Sequence, residues 1–399
     1  MSVRGVIRRW LGVDDLPERA ARDAARETRD MRAVRDLLRQ VDELRGLVHQ
    51  QSAFVEEALR RAGWQSDQEA AQQGALHRAL RAARLPGEVI VGPWTGEVGF
   101  ELLYWIPFLG WLASQGVSGS RMTVLSRGGA GVWYRHLTTR YLDVLDLMTP
   151  DDFRERTAGK KKQYDDKRDL DVELIEKARA RLSLPDALVV HPSAMFRLFR
   201  GLWSKQATVE LVESFASYRP LEPPPAADAS PAGLPSNYVV AKFYFSQAFP
   251  ETAENRAFVA EMLRTVSAQV PVVVLNTSVL LDEHHDVQVA RGGGLIVVDA
   301  HTVPQRNLEL QTRLIAGARG FIGTYGGFSY LAPFYGVPSL SFFSRRNAFE
   351  PHHLELANRV FDKLLPGGFL AIDRRAANLV APSLSRWAEA ARPLASAEA

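Results

Sequence analysis

The run ARGFIGTYGGFSYLAPFYGVPS, residues 318–339, carries the sharpest chemical signal in the chain. An apolar strand ends at Gly323, and Thr324, Tyr325, Gly326 and Gly327 form a tight turn. A helix starts near Phe328 or Ser329, closes at Gly336, and hands over to the next strand through Val337 and Pro338. Glycine lets a backbone approach a ligand closely, and the unpaired N–H groups of a helix start suit a phosphate. The plainer reading is that these glycines serve only the turn. A second turn of this kind lies in GPWTGEVGFELLYWIP, residues 92–107, where Gly92, Gly96 and Gly99 surround Glu97. Glu97 stands in the loop, from which its backbone can present it to a cleft. Glu101 falls in the first helical turn, where a carboxylate is a routine capping choice.

Other polar residues stand where strands end. Lys242 sits in VVAKFYF, among apolar neighbours, where an unpaired charge is expensive. The plainer alternative for it is a surface position on an edge strand. Tyr244 and Phe245 follow it and could wall the same cleft. Arg127, before Gly128 and Gly129, ends a second strand and would suit an anionic ligand, a cap or a salt bridge; His191, Pro192 and Ser193 end another. Adjacent His284 and His285, with Asp286, could suggest a metal pair, but neighbours on one loop rarely converge on one ion. They read as a ligand contact or a polar loop. Glu309 is either a ribose contact or a solvent-facing helical acid.

The 318–339 segment resembles the carboxy-terminal, nucleotide-sugar half of GT-B glycosyltransferases, and is most similar to the heptosyltransferase-like and fucosyltransferase-like branches. These share a strand, a Gly turn, a helix with small residues, then Gly-Val-Pro before a strand. The likeness covers 238–375 well and 87–219 more loosely, and omits the first 85 residues. Heptosyltransferases carry an acidic residue in the turn where Thr324 and Tyr325 stand here, so a heptose donor is not carried over. The resemblance implies sugar transfer from a nucleotide-sugar co-substrate to a glycan-type hydroxyl, inverting and without a metal or other cofactor. On that basis Glu97 deprotonates the acceptor. Lys242, Tyr244, Thr324, Tyr325, Gly326, Gly327, Phe328, Ser329, Asn307 and Glu309 hold the donor, with the nucleoside near 302–307. Arg127 and His191 line the acceptor side. Two rivals stand beside this reading: a nucleotide-sugar 2-epimerase using Glu97, Glu101 and His284, and a non-catalytic nucleotide-sugar-binding assembly protein.

These residues need a scaffold, and the alternation of short apolar runs with helical segments from Gly87 onward supplies one. Strands are expected at 89–94, 122–126, 142–148, 187–191, 238–245, 270–276, 295–298, 320–323 and 339–343. Helices are expected at 98–114, 132–141, 169–182, 254–268, 308–318, 326–335 and 353–364. Strands alternating with helices mean βαβ units and parallel sheets. The expected fold is therefore α/β, with two Rossmann-like parallel-sheet domains, at 86–219 and 238–375. A Pro-rich linker at 220–237 and a tail at 376–399 complete the body. Residues 1–85 read as a helical arm. Val34, Leu37, Val41, Leu44, Val48, a polar Gln51, Val55 and Ala58 follow about three heptads. Either a coiled coil joining copies of the chain or an amphipathic helix packed on the body would produce that spacing. Val3, Ile7, Trp10 and Leu11, beside Arg4, Arg8 and Arg9, could lie on an anionic membrane surface or form a frayed end.

The totals exclude several classes. The 399 residues, 46% hydrophobic, allow a large core. With no cysteine there is no thiol nucleophile, disulfide or Cys-based zinc site. A net charge of +3, with Lys160–Lys162 followed at once by Asp165 and Asp166, offers no nucleic-acid groove. No run approaches bilayer-spanning length, and the N-terminus lacks a signal-peptide core, which points to the cytoplasm or its membrane face.

Overall fold

The computed structural model describes residues 70–377 except 83, 160–162, 165–167, 225–233, 277–284, 290–291 and 299–302, together with helical residues at 26, 36, 39–43 and 46. By its contacts the chain divides into Met1–Glu69 and Ala70–Ala399. In the first unit Arg39 lies 3.7 Å from Asp36 and 3.9 Å from Glu43, at i,i+3 and i,i+4 helical spacing. Val41, one of the heptad positions, is exposed there. The basic N-terminal stretch, the rest of the heptad run and the 378–399 tail lie outside the described residues.

The second unit holds two parallel sheets. In the first, β1 (Val89–Val91), β2 (Met122–Ser126), β3 (Tyr141–Asp143) and β4 (Leu188–Val190) lie in the order β3-β2-β1-β4. In the second, β5 (Val239–Lys242) is followed by the short β6 (Tyr244–Phe245), then β7 (Val272–Leu275), β8 (His285–Asp286), β9 (Leu295–Val298), β10 (Gly320–Thr324), β11 (Ser339–Phe343) and β12 (Phe369–Asp373). Six of these form the sheet β12-β11-β10-β5-β7-β9, while β6 and β8 pair antiparallel as a separate ribbon. That six-stranded order is the doubly wound Rossmann arrangement, reversing between β5 and β10. Its central strands are buried along their whole length, as a sheet covered on both faces requires.

Local sequence explains the irregular pieces. The helix over 98–114 contains a π turn, Glu101–Trp105, after which Pro107 falls in the first turn of Ile106–Ser114. Pro107 has no N–H for the Leu103 carbonyl four residues back, and the Tyr218 hydroxyl donates to that carbonyl instead at 2.8 Å. In helix Gly327–Phe334, Pro333 cannot donate to the Ser329 carbonyl, and the Ser339 hydroxyl does so instead at 2.8 Å. Helix Ala253–Ser267 is capped by Thr252, whose hydroxyl accepts from the Asn255 amide at 3.2 Å.

Several expectations are corrected. Residues 132–141 are not an α-helix but a 3-10 turn, Ala130–Trp133, followed by turns. Gly128 and Gly129, both at positive φ, set the chain direction there. Helices Pro150–Thr157, Ser193–Leu198, Arg200–Trp203 and Val209–Glu213 went unrecognised, as did the edge strand β12. The start of the Pro-rich segment is packed rather than loose: Leu221 is buried and its amide donates to the Phe334 carbonyl at 2.8 Å.

The two sheets share a hydrophobic core and are tied by specific bonds. Trp133 Nε1 donates to Thr312 Oγ1 at 2.8 Å, the Leu308 amide to the Gly128 carbonyl at 2.7 Å, and Gln305 Nε2 to the Leu145 carbonyl at 3.0 Å. No helix among the described residues is long and apolar enough to cross a membrane.

Near this seam His136 sits against Leu102, Ile106, Leu221 and Phe334. Burial, then the Arg219 charge, lowers its pKa from 6.5 to about 4, with the Trp133 carbonyl pulling the other way. Between those values the unfolded chain binds a proton that the folded chain does not. Stability is therefore full above pH 6.5 and is lost as pH falls toward about 4. At about 1.4 kcal/mol per pH unit, discounted for partial exposure, the loss is about 1–3 kcal/mol. Urea unfolding from pH 7 to 4 should show this slope in the wild type and a shallower one in His136→Leu. Equal slopes would remove His136 as the source.

Candidate active site

A cleft of about 680 Å³ opens where the carboxyl ends of both sheets meet, a volume ordinary for a small-molecule site. Lys242 ends β5 in register with Gly323 of β10, so both stand at the point where the strand order reverses. Ligands of open α/β sheets bind in that crevice.

On this side the structure brings Lys242, Tyr244, Asn307, Tyr325, Gly326, Gly327 and Phe328 to the cleft. Lys242 is not on an edge strand: β5 is central, and the ammonium is buried. It lies 2.7 and 2.8 Å from the two carboxylate oxygens of Asp286 and 5.4 Å from the centre of the Phe328 ring. An ammonium has three N–H donors, so this pairing leaves capacity for a ligand oxygen. Asp286 is delivered by the β6–β8 ribbon, which a reading of that segment as a polar loop did not anticipate. His284 lies outside the described residues.

Three expected donor contacts are not on the cleft. Thr324 is fully buried: its hydroxyl donates to the Tyr244 carbonyl at 2.9 Å and accepts from the Tyr244 amide at 3.1 Å, clipping β6 to the end of β10. Ser329 turns back on its own helix, accepting from the Gly326 amide at 3.1 Å and donating to the Gly326 carbonyl at 2.7 Å. Glu309 is held by Arg313 one turn along. The glycines also have structural work. A Cβ on Gly326, at φ +149°, would stand 2.2 Å from the Tyr244 hydroxyl, and one on Gly327 would stand 2.8 Å from the Gly99 nitrogen. The turn therefore seats one lobe against the other as well as opening a helix start to the cleft.

Facing it, the loop after β1 presents Glu97. Gly92 makes the turn possible, since at φ +128° its Cβ would lie 2.2 Å from the Leu125 carbonyl oxygen. Arg127 fixes the far end of this loop, donating to the Gly96 carbonyl at 2.5 Å and to Glu101 at 2.7 Å. Glu101 is not a cap. It is fully buried and also accepts from the hydroxyls of Ser126 at 2.6 Å and Tyr134 at 2.5 Å. Of the alternatives for Arg127, the structure shows the salt bridge, with the residue also on the cleft wall.

His191 does not reach the cleft. It is buried beneath the loop, its Nδ1 accepting from the Ser193 amide at 3.1 Å, which directs its Nε2 proton to Asp171, also at 3.1 Å. Asp171 is further bonded by Arg168, which in turn donates to the Thr95 hydroxyl at 2.6 Å. Gln163 donates to the Pro93 carbonyl at 2.9 Å and accepts from the Thr95 amide at 3.0 Å. This network holds the 93–96 backbone in place.

Several cleft residues escaped sequence reasoning, among them two polar groups with defined partners. His353, third in helix Pro351–Leu364, lies 2.5 Å through Nδ1 from the Tyr104 hydroxyl and edge-on to Phe100 at 5.0 Å between ring centres. Burial keeps the Tyr104 phenol protonated, its pKa well above the usual value. The only sequence hint was a histidine pair after a proline at a helix start. Gln311, one helical turn beyond Asn307, gave no signal until the helix face was known. Among the described residues, no cluster of three or more His, Cys, Asp or Glu could hold a metal ion.

The chain is similar to solved glycosyltransferase structures. These include the E. coli ADP-heptose LPS heptosyltransferase II (10% identity, TM-score 0.44, covering 77% of this chain and 98% of that one). The E. coli heptosyltransferase WaaC with ADP is similar at 13% identity and TM-score 0.35, over 76% and 100% of the two chains. A family 9 glycosyl transferase from Veillonella parvula is similar at 10% identity and TM-score 0.37, over 75% and 89%. No family model matches the chain. No curated protein matches it.

Proposed function

We propose that the chain is a glycosyltransferase moving a sugar from a nucleotide-sugar donor to a glycan-type hydroxyl, with inversion and without a metal ion. The observation that carries this reading is the single cleft in which Lys242 and the Gly326–Gly327 helix start face Glu97 of the opposite lobe. The donor lies over the six-stranded sheet. The remaining Lys242 N–H and the first amides of helix Gly327–Phe334 take the diphosphate. The acceptor lies against the first lobe. Its oxygen attacks the anomeric carbon as the bond to the phosphate oxygen breaks, that oxygen keeps the electron pair, and Glu97 takes the acceptor proton. We place the reaction in the cytoplasm; the heptad-like spacing at 34–58 supports joining of copies through the arm, and the basic N-terminus supports contact with a membrane face.

A thermal-shift comparison of UDP, GDP, CMP, ADP and their sugars, with and without EDTA, tests the donor site. One nucleotide family should raise the melting point of the wild type whether or not EDTA is present. At one hundred times Kd the gain is about 2.7 kcal/mol. The shift should vanish in Lys242→Met/Asp286→Asn, which removes both charges and leaves neither unpaired. A shift abolished by EDTA would remove the metal-free reading. No shift with any nucleotide would remove the transferase reading.

A further inference from the structure

We propose that Asp286 makes the donor site discriminate by charge, so that a diphosphate esterified at both ends, as in a nucleotide sugar, is not outcompeted by a free nucleoside diphosphate. The assignment rests on the reading of Lys242 as a diphosphate contact. Asp286 lines the cleft with its side chain 18% exposed, and its two oxygens lie 2.7 and 2.8 Å from the Lys242 ammonium. It reaches this position on β8, through the ribbon formed with β6. The two arginines among the described residues on the cleft wall are also held by carboxylates, Arg127 by Glu101 at 2.7 Å and Arg154 by Asp151 at 2.9 Å.

A lysine serving only to attract phosphate would hold the more highly charged ligand better. A nucleotide sugar carries one negative charge on each phosphate. Loss of the sugar frees a terminal oxygen that ionises at about pH 6, so the product diphosphate gains a further charge near neutrality. A phosphate oxygen accepting the remaining N–H of Lys242 lies about 4–5 Å from the Asp286 carboxylate, because the N–H bonds of an ammonium diverge tetrahedrally. Like charges at that separation repel appreciably even near a protein surface. Asp286 therefore offsets the advantage that Lys242 alone would give the extra charge. A counter-ion behind the lysine would keep the buried ammonium ionised without opposing the ligand; here the counter-ion stands on the cleft wall. The product is thus released rather than retained against incoming donor.

The test is calorimetric titration of wild type and Asp286→Asn with UDP, GDP and ADP, with the methyl ester of each diphosphate, and with UDP-glucose, GDP-mannose and ADP-glucose. The methyl ester has the donor's charge without its sugar, so it separates charge from sugar contacts. Asn keeps an acceptor for the ammonium and removes the negative charge. Within the nucleotide family that binds, the free diphosphate should gain on the order of tenfold more affinity from the substitution than the methyl ester or the nucleotide sugar does. Equal gains, no gain, or weaker binding of every ligand by the variant overturn the role of Asp286 while leaving the donor site intact. If the variant fails to fold with its ammonium stranded, the wild type decides: a free diphosphate bound on the order of tenfold or more tightly than its methyl ester overturns the proposal, and a smaller preference supports it. Failure of every nucleotide to bind wild type overturns the donor-site reading and this one with it.

Discussion

Arg127→Leu should unfold at a markedly lower denaturant concentration than the wild type, with a loss of about 3–5 kcal/mol. The size follows from what remains behind. Glu101 has no exposure, and the guanidinium 2.7 Å away is the cation paired with it. The Ser126 and Tyr134 hydroxyls would still donate, but they supply hydrogen bonds and no charge. Removing one partner of a buried pair strands the other, which is why the loss exceeds anything the pair contributes over an apolar replacement. Arg127→Leu/Glu101→Leu should therefore recover a large part of it. A single variant within about 1 kcal/mol of wild type would show that the Arg127–Glu101 pair does not hold this part of the fold. Arg127 also bonds the Gly96 carbonyl, so the variant should lose order in the loop carrying Glu97.

Glu97→Gln should lower turnover by about 10²–10⁴-fold while leaving nucleotide-sugar affinity nearly unchanged. The carboxylate stands on the first lobe and the proposed phosphate contacts on the second, so the substitution removes the proposed base without touching the proposed donor site. Turnover is read as release of nucleoside diphosphate with a saccharide acceptor pool, and affinity by calorimetry on the same preparations. Loss of affinity without loss of turnover would make Glu97 a donor contact. Full activity would pass the role of base to another cleft group, His353 first. Because the fold around Glu97 is set by main-chain bonds from Arg127 and Gln163, the melting point should stay close to wild type.

Most of the parallel strands were legible in the sequence alone, because a buried parallel strand is an apolar run, often β-branched, wherever it stands. Val272–Leu275 and Val89–Val91 were legible for this reason. So were the two glycine turns, since few other residues meet a positive φ or a backbone contact such as that between Gly327 and Gly99. Strand order decided the rest. It put Lys242 on a central strand rather than the alternative edge position, and the ribbon, which joins residues far apart in sequence, set Asp286 against it. Thr324 and Ser329 looked like ligand contacts because a hydroxyl at a strand end suits either a ligand or a backbone group, and only the position of Tyr244 and the Gly326 amide made it the latter. His191 was read at the correct strand end but on the wrong face; the partner that turns it inward, Asp171, comes from a helix twenty residues earlier. Glu101 and His353 share one physical reason for having been illegible. Each acquires its role from groups that only the packing of one lobe on the other, or one strand on the next, brings within hydrogen-bonding distance.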